Sequence, residues 1–358
     1  MTKNRKRIVI TLSVVTSSIV TYFGLGLIGV GVASGIFINN RYSDLDLLEE
    51  DFYAVQNSRD DYPSLAEREE VPFKCGKETL MGYLYENTSP KGVVIVAHGV
   101  ANLADANGAQ VQNYYVTHGY DVFAIDMTGC GRSTGKGMKT LFESKYCVKY
   151  AVNTVKNHAK TKDLPIFLIG HSWGGYGVVC ATNEVDGVSA VASFSGYNTP
   201  SEMMYAFAET NTSKAVIVTK PAMEFGVSLI WGNRSFITAE SAIKKHPEIP
   251  YFIAHGDKDN TVPLKEISIY DNVVRDSYKN VTTYKIEGMT HGAPWKTLEA
   301  VNITAQYEQG LKDLRKEYKG KLPKEVREEY LASIDKEKAS EVNADLLNQI
   351  DEMFTSCL

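Results

Sequence analysis

The stretch that most constrains the fold is Leu164-Pro-Ile-Phe-Leu-Ile-Gly-His-Ser-Trp-Gly-Gly-Tyr-Gly177, an apolar run that stops abruptly at small residues grouped around one serine. Leu164 to Ile169 reads as a short buried strand: it is too brief and too β-branched for a helix, and glycine closes it. Gly170-His171-Ser172-Trp173-Gly174 then fits G-x-S-x-G, in which a strand turns sharply into a helix and lifts its serine into a strained, exposed position. Gly170 and Gly174 flank a turn where a Cβ would collide with its neighbours, and Gly175 lets a helix from Tyr176 to Ala181 start close to the sheet. Ser172 is therefore the candidate nucleophile. An ordinary Gly/Ser turn can carry the same letters, so the surrounding pattern decides.

That pattern alternates strand and helix. Glu70 to Cys75 and Thr79 to Glu86, joined through Cys75-Gly-Lys-Glu78, read as an edge hairpin. Gly92 to Ala97 reads as a buried central strand running into His98-Gly99-Val100, Ala109 to His118 as a helix stopped by Gly119, and Tyr120 to Asp126 as the next strand. Gly187 to Phe194, Tyr251 to Gly256 and Thr282 to Glu287 continue the series. The expected class is α/β, with a mostly parallel central sheet flanked by helices. In hydrolases of this plan the loop after the central strand supplies one N–H of an oxyanion hole, and the residue after the nucleophile supplies the other. Val100 and Trp173 are the candidates. His98 reads as a structural histidine bonded to nearby backbone. The glycine-rich loop Asp126 to Gly135 contains neither G-x-x-x-x-G-K-[ST] nor a helix-opening G-x-G-x-x-G, which excludes a strong phosphate-loop reading.

His98-Gly99, the Asp126 to Gly135 loop, Gly-His-Ser172-Trp-Gly-Gly and the segments after Tyr251 together resemble the α/β-hydrolase superfamily, in its serine aminopeptidase-like and monoacylglycerol lipase-like branch. The family usually carries an arginine before the first glycine of the loop, where this chain has Thr128. Two aspartates compete for the triad acid in Asp257-Lys-Asp-Asn-Thr-Val-Pro263. The family pattern G-x-x-D-x-x-V-P favours Asp259, leaving Asp257 to bond loop backbone, and Pro263 is expected to open a helix reaching about Tyr278. Gly288-Met-Thr-His291-Gly292 supplies a histidine after the last strand, and Ser172, Asp259, His291 is the chain order of α/β-hydrolases. The resemblance also implies that Thr199 to His246 (insertion 199–247) is a helical cap. Most of its Met and aromatic residues are expected to pack the cap on the body, and Met203, Met204, Phe207, Met223 and Trp231 are the candidates for an apolar acyl pocket.

The expected activity is hydrolysis of a carboxylic ester of a small, lipid-like molecule through an acyl-enzyme, with no metal or organic cofactor, since no H-E-x-x-H or carboxylate cluster occurs. A serine aminopeptidase, holding a substrate amine with Glu202, Glu209 or Glu224, is the alternative within enzymes. A membrane-tethered binding protein on the same fold is the alternative outside them.

Ile8 to Ile38 contains no charged residue and follows Lys3, Arg5, Lys6 and Arg7, the layout of a membrane span with a basic flank. A cleaved signal peptide would have an apolar region of roughly 7–15 residues, far shorter than this one. The expectation is an uncleaved anchor in 1–40, N-terminus in the cytoplasm, with the acidic flank Asp44, Asp46, Glu49, Glu50, Asp51 and the catalytic domain outside it. Gly31 and Gly35 form a G-x-x-x-G that composition explains as well as helix pairing does. The polar stretch 41–66 is expected to be a linker to a hydrolase domain 67–358, so that a chain starting near Asp51 is expected to be soluble and active. The tail 296–358 reads as helices, largely charged, the last with Leu346, Leu347, Ile350 and Phe354 at helical spacing and docked on the sheet. A formal net charge of -5 gives no basic surface for nucleic acid, and five cysteines lack zinc or C-x-x-C spacing.

Overall fold

The computed structural model describes residues 3–42, 51–106, 108–211 and 214–358. Its centre is an eight-stranded sheet of β1 (Glu69–Cys75), β2 (Glu78–Tyr85), β3 (Val93–Ala97), β4 (Asp121–Asp126), β5 (Ile166–His171), β6 (Val188–Phe194), β7 (Tyr251–Gly256) and β8 (Val281–Ile286), in the spatial order β1-β2-β4-β3-β5-β6-β7-β8. The β1–β2 hairpin is antiparallel and joins β4 antiparallel, whereas β4, β3, β5, β6, β7 and β8 pair in parallel. β3, β4, β5 and β7 are buried along their whole length, which is why they read as unbroken apolar runs rather than as alternating ones. Register brings Ala97 beside Gly170 and Gly256 beside Ile286. The loops carrying the candidate site therefore leave one edge of the sheet together.

The α-helices longer than four residues are α1 (Lys3–Asn39), α2 (Ala109–Thr117), α3 (Ser144–Asn157), α4 (Trp173–Ala181), α5 (Pro200–Asn211), α6 (Lys220–Trp231), α7 (Ala239–Lys245), α8 (Ile269–Asp276), α9 (Leu298–Glu317), α10 (Lys324–Ala332) and α11 (Ala344–Thr355) among the described residues. One apolar cluster joins the sheet to α3, α4, α7 and α8, and a second joins its other face to α2 and α11. Leu346, Leu347, Ile350 and Phe354 are fully buried there, and the Phe354 ring stacks on Phe167 at 4.5 Å. The same side holds Lys296, fully buried, whose Nζ donates to the Ala339 carbonyl at 2.9 Å and to Gln56 Oε1. Burial pulls its pKa down to about 7.

Two expectations need correction. Pro263 sits in a run of turns, and the helix starts only at Ile269, because Ser268 is its true N-cap and accepts from the Asp271 N–H at 2.9 Å. The stretch 41–66 is packed where it is described. Arg41 donates to the carbonyls of Gly131, Ser133 and Gly135, Tyr42 bonds Gly129 and Gly131 through its backbone, and Val55 and Leu65 are fully buried. The expected linker residues 43–50 lie outside the described residues. Within α1, neither Gly31 nor Gly35 is where the helix meets another closely. Gly26 is: a Cβ there would run into Ala222, and one at Gly226 would sit 2.9 Å from the Gly26 carbonyl oxygen. Tyr22 Oη donates to the Val218 carbonyl, Phe23 meets Phe225 edge-on at 5.1 Å, and Val30 is buried in the same cluster as Val227 and Trp231. The second half of α1 thus lies along α6 of the cap.

Thr11–Gly35 within α1 is 25 residues with mean hydropathy 1.7, long and apolar enough to cross a membrane. The same test is met by a signal sequence.

Candidate active site

The site begins with backbone geometry at the end of β5. Ser172 takes φ 55° and ψ −111°, a conformation that costs a non-glycine residue on the order of 1–3 kcal/mol. The turn closes because Gly170 and Gly174 carry no side chain: a Cβ on the first would strike the Gly174 carbonyl, and one on the second the Ala97 carbonyl of the neighbouring strand. Tyr176 N–H bonds the Ser172 carbonyl at 3.0 Å, starting α4 three residues earlier than the sequence reading had it. The helix N-terminus, with its partial positive charge, stands at the serine.

Ser172 Oγ lies 2.9 Å from His291 Nε2, and His291 Nδ1 lies 2.7 Å from Asp259 Oδ2. Asp259 Oδ1 accepts from the N–H groups of Thr261 at 2.9 Å and Val262 at 2.8 Å, so its carboxylate is fixed in the loop after β7. Burial would raise the Asp259 pKa, but the hydrogen bonds from His255 and His291 outweigh it and hold the group well below the ordinary carboxylate range. It therefore faces His291 as an anion. His255, at the end of β7, places Nε2 2.9 Å from the Val262 carbonyl and 3.4 Å from Asp259 Oδ2. Nothing in the sequence pattern separated this second imidazole from an ordinary strand residue. Asp257, the rival aspartate, accepts from the Gly288 N–H at 2.7 Å instead.

The loop after β3 passes directly against the elbow. A Cβ on Gly99 would lie 3.4 Å from Ser172 Cβ, and Val100 lines the same cleft as the serine. The backbone N–H groups of Val100 and Trp173 bond no acceptor among the described residues. His98 Nε2 accepts from the Met127 N–H at 3.0 Å, so its proton is on Nδ1, which donates to the Gly99 carbonyl at 2.6 Å. Burial holds its pKa down to about 4, and it stays neutral as a brace between loops. Thr128, where the family has arginine, is buried with Oγ1 3.3 Å from Glu143 Oε1, while the guanidinium that bonds this loop belongs to Arg41.

The cleft above Ser172 has a volume of ≈ 410 Å³. Of the five candidate pocket residues, Met203 and Phe207 line it. Met204 and Trp231 are buried in the core instead, and Met223 packs against that core from the cap. Helical phase explains the split: 203 and 207 are i and i+4 on α5 and share a face, while 204 points into the body. Phe52, Tyr53, Leu141 and Tyr197 line the cleft without having been singled out. The pair Phe52-Tyr53 stands out in an otherwise polar, acidic stretch, and that was the available signal. Leu141 is placed by its carbonyl, which accepts from Trp173 Nε1 at 3.0 Å and Tyr197 Oη at 2.6 Å. Glu202, Glu209 and Glu224 do not line the cleft, and among the described residues no other carboxylate does.

A family model described as serine aminopeptidase, S33, matches residues 88–209, the span from β3 through the elbow into the cap. The monoacylglycerol lipase of Mycolicibacterium smegmatis is 30% identical over 210 residues, covering 50% of this chain and 74% of that protein. The chain belongs to this branch of the α/β-hydrolases. Among solved structures, an esterase of Pyrococcus furiosus gives a TM-score of 0.51 at 20% identity, over 70% of this chain and 92% of that one, a likeness of fold. This α/β-hydrolase is a serine hydrolase of esterase and lipase type, and its mostly parallel sheet with flanking helices is the fold of that superfamily.

Proposed function

We propose that the chain is a membrane-anchored hydrolase of carboxylic esters with apolar acyl chains, using Ser172, His291 and Asp259. The observation that carries this is a continuous hydrogen-bonded chain from Ser172 Oγ to Asp259 at the floor of a cleft walled by Met203, Phe207, Phe52 and Leu141. A serine hydroxyl is a poor nucleophile at neutral pH. His291 Nε2 takes its proton as Oγ attacks the ester carbonyl, and the Asp259 carboxylate holds the ring and stabilises the imidazolium. The oxyanion is bound by the N–H groups of Val100 and Trp173, each donor worth about 3–4 kcal/mol. His291 returns the proton to the departing alkoxide, then removes one from water, whose attack on the acyl-enzyme releases the acid and restores Ser172. The family also suggests an aminopeptidase, but that chemistry needs an anion for the substrate amine, and among the described residues the lining holds none, which favours the ester reading. A panel of aryl esters of increasing chain length, run beside aminoacyl anilides, tests the choice: esters with chains of intermediate or greater length should dominate, and preferred cleavage of anilides would reverse it.

The anchor is part of the same proposal. At about 1.5 Å per residue, Thr11–Gly35 is ~37 Å long, enough for a hydrocarbon core of ~30 Å. Lys3, Arg5, Lys6 and Arg7 stay in the cytoplasm and the hydrolase domain lies outside it. Ile217, Val218, Phe225, Leu229 and Ile230 of the cap are exposed beside α1, whose Leu12, Val15, Ile19, Leu25 and Ile28 are exposed too. One apolar surface runs from the second half of α1 to the cap, which supports a reading in which α6 dips into the outer leaflet beside the span and the cleft opens close to it, where lipid-like esters are concentrated. Protease added to intact cells should remove the hydrolase domain, and protection until the membrane is broken would overturn the orientation.

A further inference from the structure

Behind the elbow lies a small cavity of ≈ 20 Å³, lined by Gln112, His171 and Trp295 among others. Three buried polar atoms of these residues have no partner among the described residues: Gln112 Oε1, His171 Nδ1 and Trp295 Nε1. Their roles can be assigned individually. Gln112 Nε2 donates to the Ala104 carbonyl, so Oε1 is the amide's free acceptor. His171 Nε2 lies 2.8 Å from the His291 carbonyl, which only accepts, so Nε2 carries the proton and Nδ1 is a bare lone pair. Trp295 Nε1 is a donor only. Its ring meets His171 edge-on at 5.3 Å. Two acceptors and one donor, on residues that line a space just above the roughly 10–15 Å³ that one water needs, are the complement of a single water molecule.

We propose that this cavity is the site of one structural water, which accepts from Trp295 Nε1, donates to Gln112 Oε1 and His171 Nδ1, and thereby locks His171 as a positioning residue for His291. With Nδ1 engaged as an acceptor, His171 holds its Nε2–H on the His291 carbonyl, and the loop that presents the catalytic imidazole is pinned beside Ser172. Burial first, and the neighbouring His291 second, hold the His171 pKa down to about 3, so the ring keeps this one tautomer over the working pH range. The role rests on the Ser172–His291 assignment, but it concerns the support of that pair rather than its chemistry.

Trp295→Phe removes only the N–H and keeps the packed ring. In the full chain it should lower kcat roughly tenfold with KM little changed, because His291 is less well held. His171→Leu should do at least as much, and His171→Gln, whose amide can still donate to the His291 carbonyl, should recover part of the loss. A crystal structure that orders its waters should show one between the three atoms in the wild type and none in Trp295→Phe. An empty or apolar-filled cavity in the wild type, unchanged kcat in Trp295→Phe, or equal losses in the Leu and Gln variants would each overturn the proposal. If instead Ser172 proved not to be the nucleophile, the water would still be found, so the two failures are distinguishable.

Discussion

The strand ends around Ser172 and the helices around Gly26 are both close-packed, but by different means. At the elbow every contact is enforced locally: two glycines, a strained serine and loop backbone bonds leave the chain one path. Where α1 meets the cap, two apolar helices touch because Gly26 and Gly226 let them approach, and either helix would be a plausible helix alone. Local chemistry is written in consecutive residues. Partnership between distant helices is not.

The sharpest way to break the first half of that comparison is at the acid. Asp259→Asn should cut kcat by about 10⁴, because the imidazole settles in the wrong tautomer, while Asp257→Asn loses one bond to Gly288 and should do far less. Steady-state kinetics on an aryl ester decide between them, and the reverse ranking would exchange the two roles. The second half is tested at the crossing. Gly26→Leu overpacks the contact with Ala222, at a cost of about 1–3 kcal/mol, and should raise KM for long-chain esters severalfold as the cap loosens. Equal kinetics in wild type and variant would mean that α1 is only a tether.

Legibility followed the same division. The elbow turn, the buried strands and the docking of Phe354 are legible in the sequence, because each rests on a short periodic or glycine-marked signal. Met204 and Trp231 were misplaced because apolar composition does not say which face of a helix meets a cleft and which meets the core. The stretch 41–66 reads as a linker on polarity, although Phe52, Tyr53, Val55 and Leu65 interrupt it. Ser268 as the N-cap was visible as Ser-x-x-Asp, but Pro263 gave the louder signal.

A further effect bears on stability rather than on turnover, and lies beside Trp295, whose ring meets His171 next to the elbow. Lys296 in the fold has its pKa lowered to about 7, against 10.5 for the free side chain. Between those values the unfolded chain binds the extra proton, so stability should rise with pH from about 7, by up to about 1.4 kcal/mol per unit. Denaturant titrations at several pH values should show that slope in the wild type and lose it in Lys296→Met.

The central claim, that this hydrolase works through Ser172, is tested most directly by labelling the full-length protein with a fluorophosphonate and mapping the modified peptide. The label should sit on Ser172, be absent from Ser172→Ala, and vanish together with ester hydrolysis while the variant unfolds at the wild-type temperature. Labelling of another serine, or ester turnover surviving in Ser172→Ala, would contradict it.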